Sequence, residues 1–404
     1  MLNKEVTEID ARNAPGRFRD AWFLRQVGPL SFFVLIFFIN FCGRMIFAPL
    51  LPSIEKELGI THGRAGSFFF LMSAGYVLGL LGSGFLAARI THKITITISA
   101  IGVGLALLGL SFANSLWTIS TVLMMLGFTA GLYIPSAIAA ITARVDRPRW
   151  GTAIAIHELA PNLAFFAAPF IAEAFLKSSS WRTALAALGS ASLLTGVAYF
   201  RFAKSGEFRG AAPGSNASLL FRTPSFWLML MLFGLGVSTT IGVYAMLPLY
   251  LVSERHVEQS WANTIVALSR SHGPVMGFLG GIVSDRLGPK RTIVISLTCT
   301  GIATLLLGPV PIGWLNGVVF LQPLLAVWFF PAAFAAVALI TPPAARNLAV
   351  SFTVPAGYIL GGGAVPTFIG TMGDAGSFAT GYVVTGLLIL SGGALALLLR
   401  LPEN

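Results

Sequence analysis

The stretch GGIVSDRLGPKR, Gly280 to Arg291, is a knot of charge and turn residues between two long apolar runs, 260–284 and 292–311. Gly288 and Pro289 stop a helix, and Asp285, Arg286, Lys290 and Arg291 need water or a polar surface, so the stretch reads as a short loop joining two apolar helices. A second stretch, GFLAARITHK from Gly84 to Lys93, interrupts the apolar pattern in the same way 197 residues earlier. That offset carries Gly84 and Arg89 onto Gly281 and Arg286, Trp117 onto Trp314, Arg149 onto Arg346 and Pro169 onto Pro366. One match is chance; five at a single offset mark an internal repeat.

Outward from these loops, apolar segments fall at 27–52, 64–88, 94–113, 117–142, 151–174, 182–203, 224–252, 260–284, 292–311, 314–340, 348–370 and 377–399. Each is long enough to cross a bilayer as a helix, which needs about 20 apolar residues. Prolines inside them, such as Pro135, Pro248 and Pro331, are tolerated in membrane helices, where neighbours satisfy the freed carbonyls. The expected fold is an all-α membrane protein, with twelve transmembrane helices in two pseudosymmetric six-helix bundles. The expected divisions are a cytoplasmic tail (1–26), an N-terminal bundle (27–203), a cytoplasmic linker rich in Gly, Ala and Ser (204–223) and a C-terminal bundle (224–404). Because six spans separate equivalent points, both halves have the same orientation, as in transporters built from parallel repeats.

Composition agrees. The 404 residues are 55% hydrophobic and 10% charged, against about 25% charged in soluble proteins. The net charge of +11 would suggest nucleic acid for a soluble chain, but the basic residues sit in short clusters between apolar runs, where anionic lipid is the partner. With the N-terminus inside, cytoplasmic segments carry 19 Lys and Arg against 5 in the outer loops, which places both termini in the cytoplasm of a cell with an inner membrane. No cleavage pattern marks the N-terminus as a signal peptide. Cys42 and Cys299 lie far apart in apolar runs, form no metal-ligand spacing and read as packing residues. No phosphate-binding glycine loop, metal cluster or nucleophile elbow is present, so neither an enzyme nor a cofactor is expected.

The loop Gly280–Arg291 resembles the signature G-x-x-x-D-R-x-G-x-[KR]-[KR] of the major facilitator superfamily, and its first-half counterpart departs from it with Ala88 and Thr91 in place of Asp and Gly. The resemblance covers nearly the whole chain. It implies two halves rocking about a central site, with Asp285, Arg286 and Arg89 as gating residues. The segment FINFCGRMIFAPLLPSIEKELGIT, Phe38 to Thr61, is similar to the first helix of the organic-anion symporter branch: Asn40 and Arg44 match, and Gly43 replaces the acidic residue. The fifth-span signature of multidrug antiporters is missing, with Ala160, Pro161 and Asn162 in another context.

An ionisable group inside hydrocarbon is expensive and marks function by default. Arg44 and Arg270, one per half and at similar calculated depth, are expected to bind an anion by bidentate hydrogen bonds. His157 and Glu158 in the fifth span are expected to carry a coupling proton. Tyr133, Asn162, Tyr244 and Tyr358 are candidate neutral contacts to substrate; Ser238 to Thr240, His272 and the rings of Trp328, Phe329 and Phe330 are weaker ones. The function expected is secondary transport of a small organic anion with proton symport, by a monomer whose other partners are membrane lipids. Alternatives are a proton-coupled exporter of amphipathic or cationic compounds, and a receptor or lipid flippase on the same frame.

Overall fold

The computed structural model describes residues 16–203, 205–210, 221–341 and 346–401. Much of the expected tail (residues 1–15) and of the expected linker (Lys204 and residues 211–220) lies outside the described residues. The described chain is helical: α1 (Gly16–Met45), α2 (Phe47–Leu58), α3 (His62–Arg89), α4 (His92–Phe112), α5 (Leu116–Gly131), α6 (Tyr133–Arg144), α7 (Trp150–His157), α8 (Leu159–Ser178), α9 (Trp181–Phe202), α10 (Pro224–Val237), α11 (Val243–Ser253), α12 (Gln259–Leu268), α13 (Gly273–Leu287), α14 (Pro289–Leu306), α15 (Ile312–Leu321), α16 (Phe329–Ile340), α17 (Arg346–Gly357), α18 (Val365–Asp374) and α19 (Phe378–Ala396).

Several consecutive helices run on into one another, and 10 of the resulting helices are long and apolar enough to cross a membrane. Large apolar side chains such as Leu105, Phe112, Leu194 and Phe278 point outward, an exterior suited to lipid in a multi-pass membrane protein. Trp117 and Trp314, a pair from the repeat, both lie exposed in the first turns of α5 and α15, where interfacial tryptophans anchor a span. Cys42 is buried, whereas Cys299 is exposed on the flank of α14 and does not pack in the core.

Two of the expected spans are not among those 10. The run 292–311 corresponds to α14, an 18-residue helix that opens on Pro289, Lys290 and Arg291. The run 260–284 is split into α12 and α13 by a tight turn at Ser269–His272, in which Arg270 N donates to Ala267 O (3.0 Å) and Gly273 N to Arg270 O (3.1 Å). Pro274 explains the break: it has no N–H to give Arg270, and its ring opposes a helical carbonyl four residues back.

Helix α3, which starts 197 residues before α12, is unbroken and packs on α5 through two facing G-x-x-x-G pairs, Gly75 with Gly79 and Gly127 with Gly131. An added Cβ at Gly75, Gly79 or Gly127 would stand 2.0 Å from a carbonyl oxygen of the facing helix. Only glycine permits such an approach, the packing that drives helix association where lipid supplies no hydrophobic force. The Ser83 hydroxyl extends the seam by donating to Leu132 O at 2.8 Å.

At one end of the molecule, segments from before residue 204 and after residue 223 tie together. The Asp374 carboxylate accepts from the N–H groups of His62 (2.7 Å) and Gly63 (3.0 Å), capping α3, while Glu55 pairs with the His62 ring at 2.9 Å. Gln259 donates to Pro49 O at 3.2 Å. The repeat shows here too. Glu57 holds Trp181 Nε1 (2.6 Å) and Arg182 at the start of α9, and its counterpart Glu254 accepts from the N–H groups of Phe378 and Ala379 at the start of α19.

Candidate functional site

Helix α1 delivers Arg44 to the interior in its last turn, and there it is only 3% exposed. Its guanidinium carbon lies 4.3 Å from the Tyr76 ring centre, 4.9 Å from Phe41 and 5.8 Å from Tyr358, so aromatic faces take the place of water. Arg44 is in no ion pair among the described residues, and its Nε and Nη2 lack any hydrogen-bond partner, as does the Tyr76 hydroxyl. Beside it opens a cavity of about 10 Å³, room for roughly one water. Met72, Ser73 and Tyr76 wall it from α3, and Ile241, Tyr358 and Gly362 close it from the other side.

Those last three residues lie in two wide π-helical turns, Ser238–Gly242 and Tyr358–Ala364. The turns touch backbone to backbone: a Cβ on Gly361 would stand 2.4 Å from Ser238 N, and one on Gly242 2.5 Å from Gly361 O. Such turns widen a helix locally and recur at functional sites. The hydroxyls of Ser238, Thr239 and Thr240 donate to carbonyls of their own helix, so none of the three protons is left for a ligand.

Arg270, in the turn between α12 and α13, is 6% exposed and also stands in no ion pair among the described residues. Its Nε and Nη2 are unpartnered, as is the hydroxyl of adjacent Tyr244. The guanidinium carbon sits 5.2 Å from the ring centres of both Phe165 and Tyr244. Phe165 packs edge-on against Phe41 with ring centres 5.0 Å apart, so the two arginines each pack on a different ring of one aromatic pair. Arg44 borders the cavity described above, and Arg270 is not part of its lining.

His157 is fully buried at the end of α7, stacked on Phe37 with ring centres 4.6 Å apart. Tyr133 donates its one hydroxyl proton to Phe33 O at 2.6 Å, so its oxygen accepts from His157 Nε2 at 3.1 Å. The other ring nitrogen faces Glu158 Oε1 at 3.2 Å. That contact holds a hydrogen bond only when a proton lies in it, as imidazolium with carboxylate or as neutral imidazole with carboxylic acid. Glu158 is half-exposed, so the pair joins a buried ring to an accessible carboxyl.

The candidate residues thus fall into three groups. Arg44 and Tyr358 meet at the cavity; Arg270 and Tyr244 meet behind Phe165; Tyr133, His157 and Glu158 form one hydrogen-bonded chain. Asn162 donates to Glu158 O at 3.1 Å and reaches Gly273, where an added Cβ would stand 2.9 Å from its Oδ1. Asp285, Arg286 and Arg89 are exposed at helix ends, in no ion pair among the described residues. His272 is half-buried and its Nε2 lacks a partner, and Phe329 packs on Phe233. Sequence reasoning passed over Tyr76, Phe41 and Phe165, because aromatic residues in apolar runs look like ordinary packing.

Comparison with known proteins bears on the family and the fold. The probable sulfoacetate transporter SauU of Cupriavidus necator is 26% identical over 285 residues, 65% of this chain and 65% of that protein, so the match spans a little under two thirds of the relative. The multidrug resistance protein MdtG of Escherichia fergusonii is 30% identical over 111 residues, 26% of this chain and 27% of that protein. Among solved structures, a bacterial homolog of the human lysosomal transporter Spinster, inward-facing and occupied, superposes with a TM-score of 0.79 at 15% identity, covering 92% of this chain and 96% of that one. A POT family transporter in complex with a thioalcohol-conjugated peptide gives 0.75 at 13% identity, covering 93% and 96%. At such identities the structures speak for the fold alone. The Major Facilitator Superfamily model matches residues 33–270 and 257–404, and the chain belongs to that family of transporters.

Proposed function

We propose that the protein is a secondary transporter of a small organic anion, working by alternating access with proton symport. One observation carries the reading: two guanidiniums, Arg44 and Arg270, are almost wholly buried, with no carboxylate paired to them among the described residues. Buried charges are ordinarily paired, and an incoming carboxylate or sulfonate is the partner these lack. The relative named for sulfoacetate supports an anionic cargo. His157 and Glu158, sharing one proton between a buried and an accessible group, are the coupling site of this reading. It takes α12 with α13, and α14, as the remaining spans of a twelve-helix frame of two six-helix bundles, divided at 27–203 and 224–404. Both termini then lie in the cytoplasm, with Asp285, Arg286 and Arg89 gating that side of an inner membrane.

Uptake into proteoliposomes tests the reading, using labelled carboxylates and sulfonates with an acid exterior. Arg270→Ala, which leaves a buried anion without its partner, is expected to lower affinity at least about 100-fold. Uptake unchanged in both Arg44→Ala and Arg270→Ala would sink it. Extrusion of cationic compounds by the same vesicles would favour an exporter, the reading that the short match to MdtG supports.

A further inference from the structure

We infer that Arg44 and Arg270 are separate anion half-sites and that the favoured cargo is a short dianion with one charged group at each. The inference rests on the anion reading above and specifies the charge of the cargo. Each guanidinium has its own unpartnered phenol, Tyr76 beside Arg44 and Tyr244 beside Arg270. Each pair is thus a cation with a neutral donor, a set suited to one carboxylate or sulfonate. Each guanidinium also packs on its own ring, Arg44 on Phe41 and Arg270 on Phe165. From one guanidinium to the other the path runs 4.9 Å to the Phe41 ring, 5.0 Å between rings and 5.2 Å from Phe165 to Arg270. A bidentate fork reaches only about 2.7–2.9 Å to its oxygens, so each arginine, with its own ring and its own phenol, takes a charged group of its own.

Charge balance points the same way. The nearby His157–Glu158 pair is neutral overall when it holds its shared proton, and neither arginine is ion-paired among the described residues. A monoanion would leave one buried positive charge uncompensated; a dianion leaves none. Met45, Phe69 and Met72 give the Arg44 side an apolar lining that suits a short hydrocarbon spacer.

Isothermal titration of the purified full-length protein at pH 7 separates the possibilities, with methanesulfonate and propionate as monoanions and sulfoacetate, malonate, succinate and glutarate as dianions. The best dianion is expected to bind at least about 10-fold tighter than either monoanion, the range of one added charge-assisted hydrogen bond. Arg44→Gln and Arg270→Gln should each weaken the dianion to the monoanion level, while a given monoanion responds to only one of them. Tyr76→Phe and Tyr244→Phe keep the packing and should each weaken dianion binding by about 3- to 10-fold, which guards against misfolding of the arginine variants. Equal affinity for monoanions and dianions, or a monoanion weakened by both arginine variants, overturns the two half-sites and leaves the anion transporter standing. Binding of no anion by the folded protein overturns both.

Discussion

Helix α3 and the pair α12–α13 begin 197 residues apart, in equivalent places of the repeat, yet one is a single rod and the other is broken in the middle. The rod packs backbone to backbone on α5 through glycines; at the positions equivalent to Gly75 and Gly79 the broken span carries His272 and Met276. The break turns Arg270 inward, where the rod has Ser73. A seam without side chains gives tight association but leaves no donor to offer a ligand. A seam opened by Gly273 and Pro274 gives up that contact and frees room for a long charged side chain. The same exchange occurs at the other arginine, since the position equivalent to Arg44 is Ile241, an apolar wall residue in a π turn.

The sharpest way to break this comparison is to give the rod a side chain. Gly79→Leu pushes atoms into Phe128 O, 2.0 Å from the Cβ position, so the helices must separate. Overpacking usually costs about 1–3 kcal/mol, and a backbone clash belongs at or above that upper end. Little folded protein is expected on size exclusion, whereas Met276→Leu at the equivalent position should leave yield and melting temperature nearly unchanged. Similar behaviour of the two variants would remove the distinction between the seams.

A smaller effect is expected from mending the break. Pro274→Ala restores an N–H that can reach Arg270 O, so the turn at Ser269–His272 is free to become helix and carry Arg270 away from Phe165 and Tyr244. The melting temperature should hold or rise while anion affinity falls by about 10-fold, the scale of one displaced charged contact. A fall in stability with affinity intact would show that the break does not position the arginine.

The smallest effect compares the caps that start the two spans. Thr61 caps α3 with a hydroxyl that accepts from Arg64 N at 3.3 Å. Glu258 caps α12 with a carboxylate that accepts from Ser260 N and Trp261 N, both at 2.9 Å, and these donors hold its carboxyl below the usual carboxylate range. A depressed folded-state pKa means that the contribution is present above the unfolded value, about 4.3, and is lost as pH falls through the folded one. Glu258→Ala should therefore lower the melting temperature slightly at pH 7 and lose that effect in acid, while Thr61→Ala keeps a constant small penalty. Parallel pH dependences would show that the carboxylate is not the cap in solution.

Much of this was legible in the sequence, and for a stated reason. Charge inside hydrocarbon is costly enough to stand out, so Arg44, Arg270, His157 and Glu158 could be named without coordinates. Gly273 and Pro274 were visible as well, but an apolar run on both sides hid that they split a helix. Tyr76 was missed because a tyrosine among apolar residues looks the same whether its hydroxyl is satisfied or orphaned. The packing of the two arginines on different rings, Phe41 and Phe165, was also out of reach, since depth along two helices says nothing about what each side chain meets. The π turn at Ser238–Gly242 could not be read as a change of pitch, because the flanking α10 and α11 are apolar on every side and offer no period to interrupt.

The turn at Ser238–Gly242 also bears on how chains of this kind are aligned. A π turn holds one residue more than the α turn it replaces, so it is an insertion absorbed without lengthening the rod. Deleting a single residue there would restore regular pitch and leave both flanks in register, whereas the same deletion in α3 would turn every later side chain by about 100° and unseat its glycines. Single-residue gaps between related chains are therefore expected to gather at this turn and to be absent from the glycine seam, which makes the spacing of a family alignment a record of where its helices are bent.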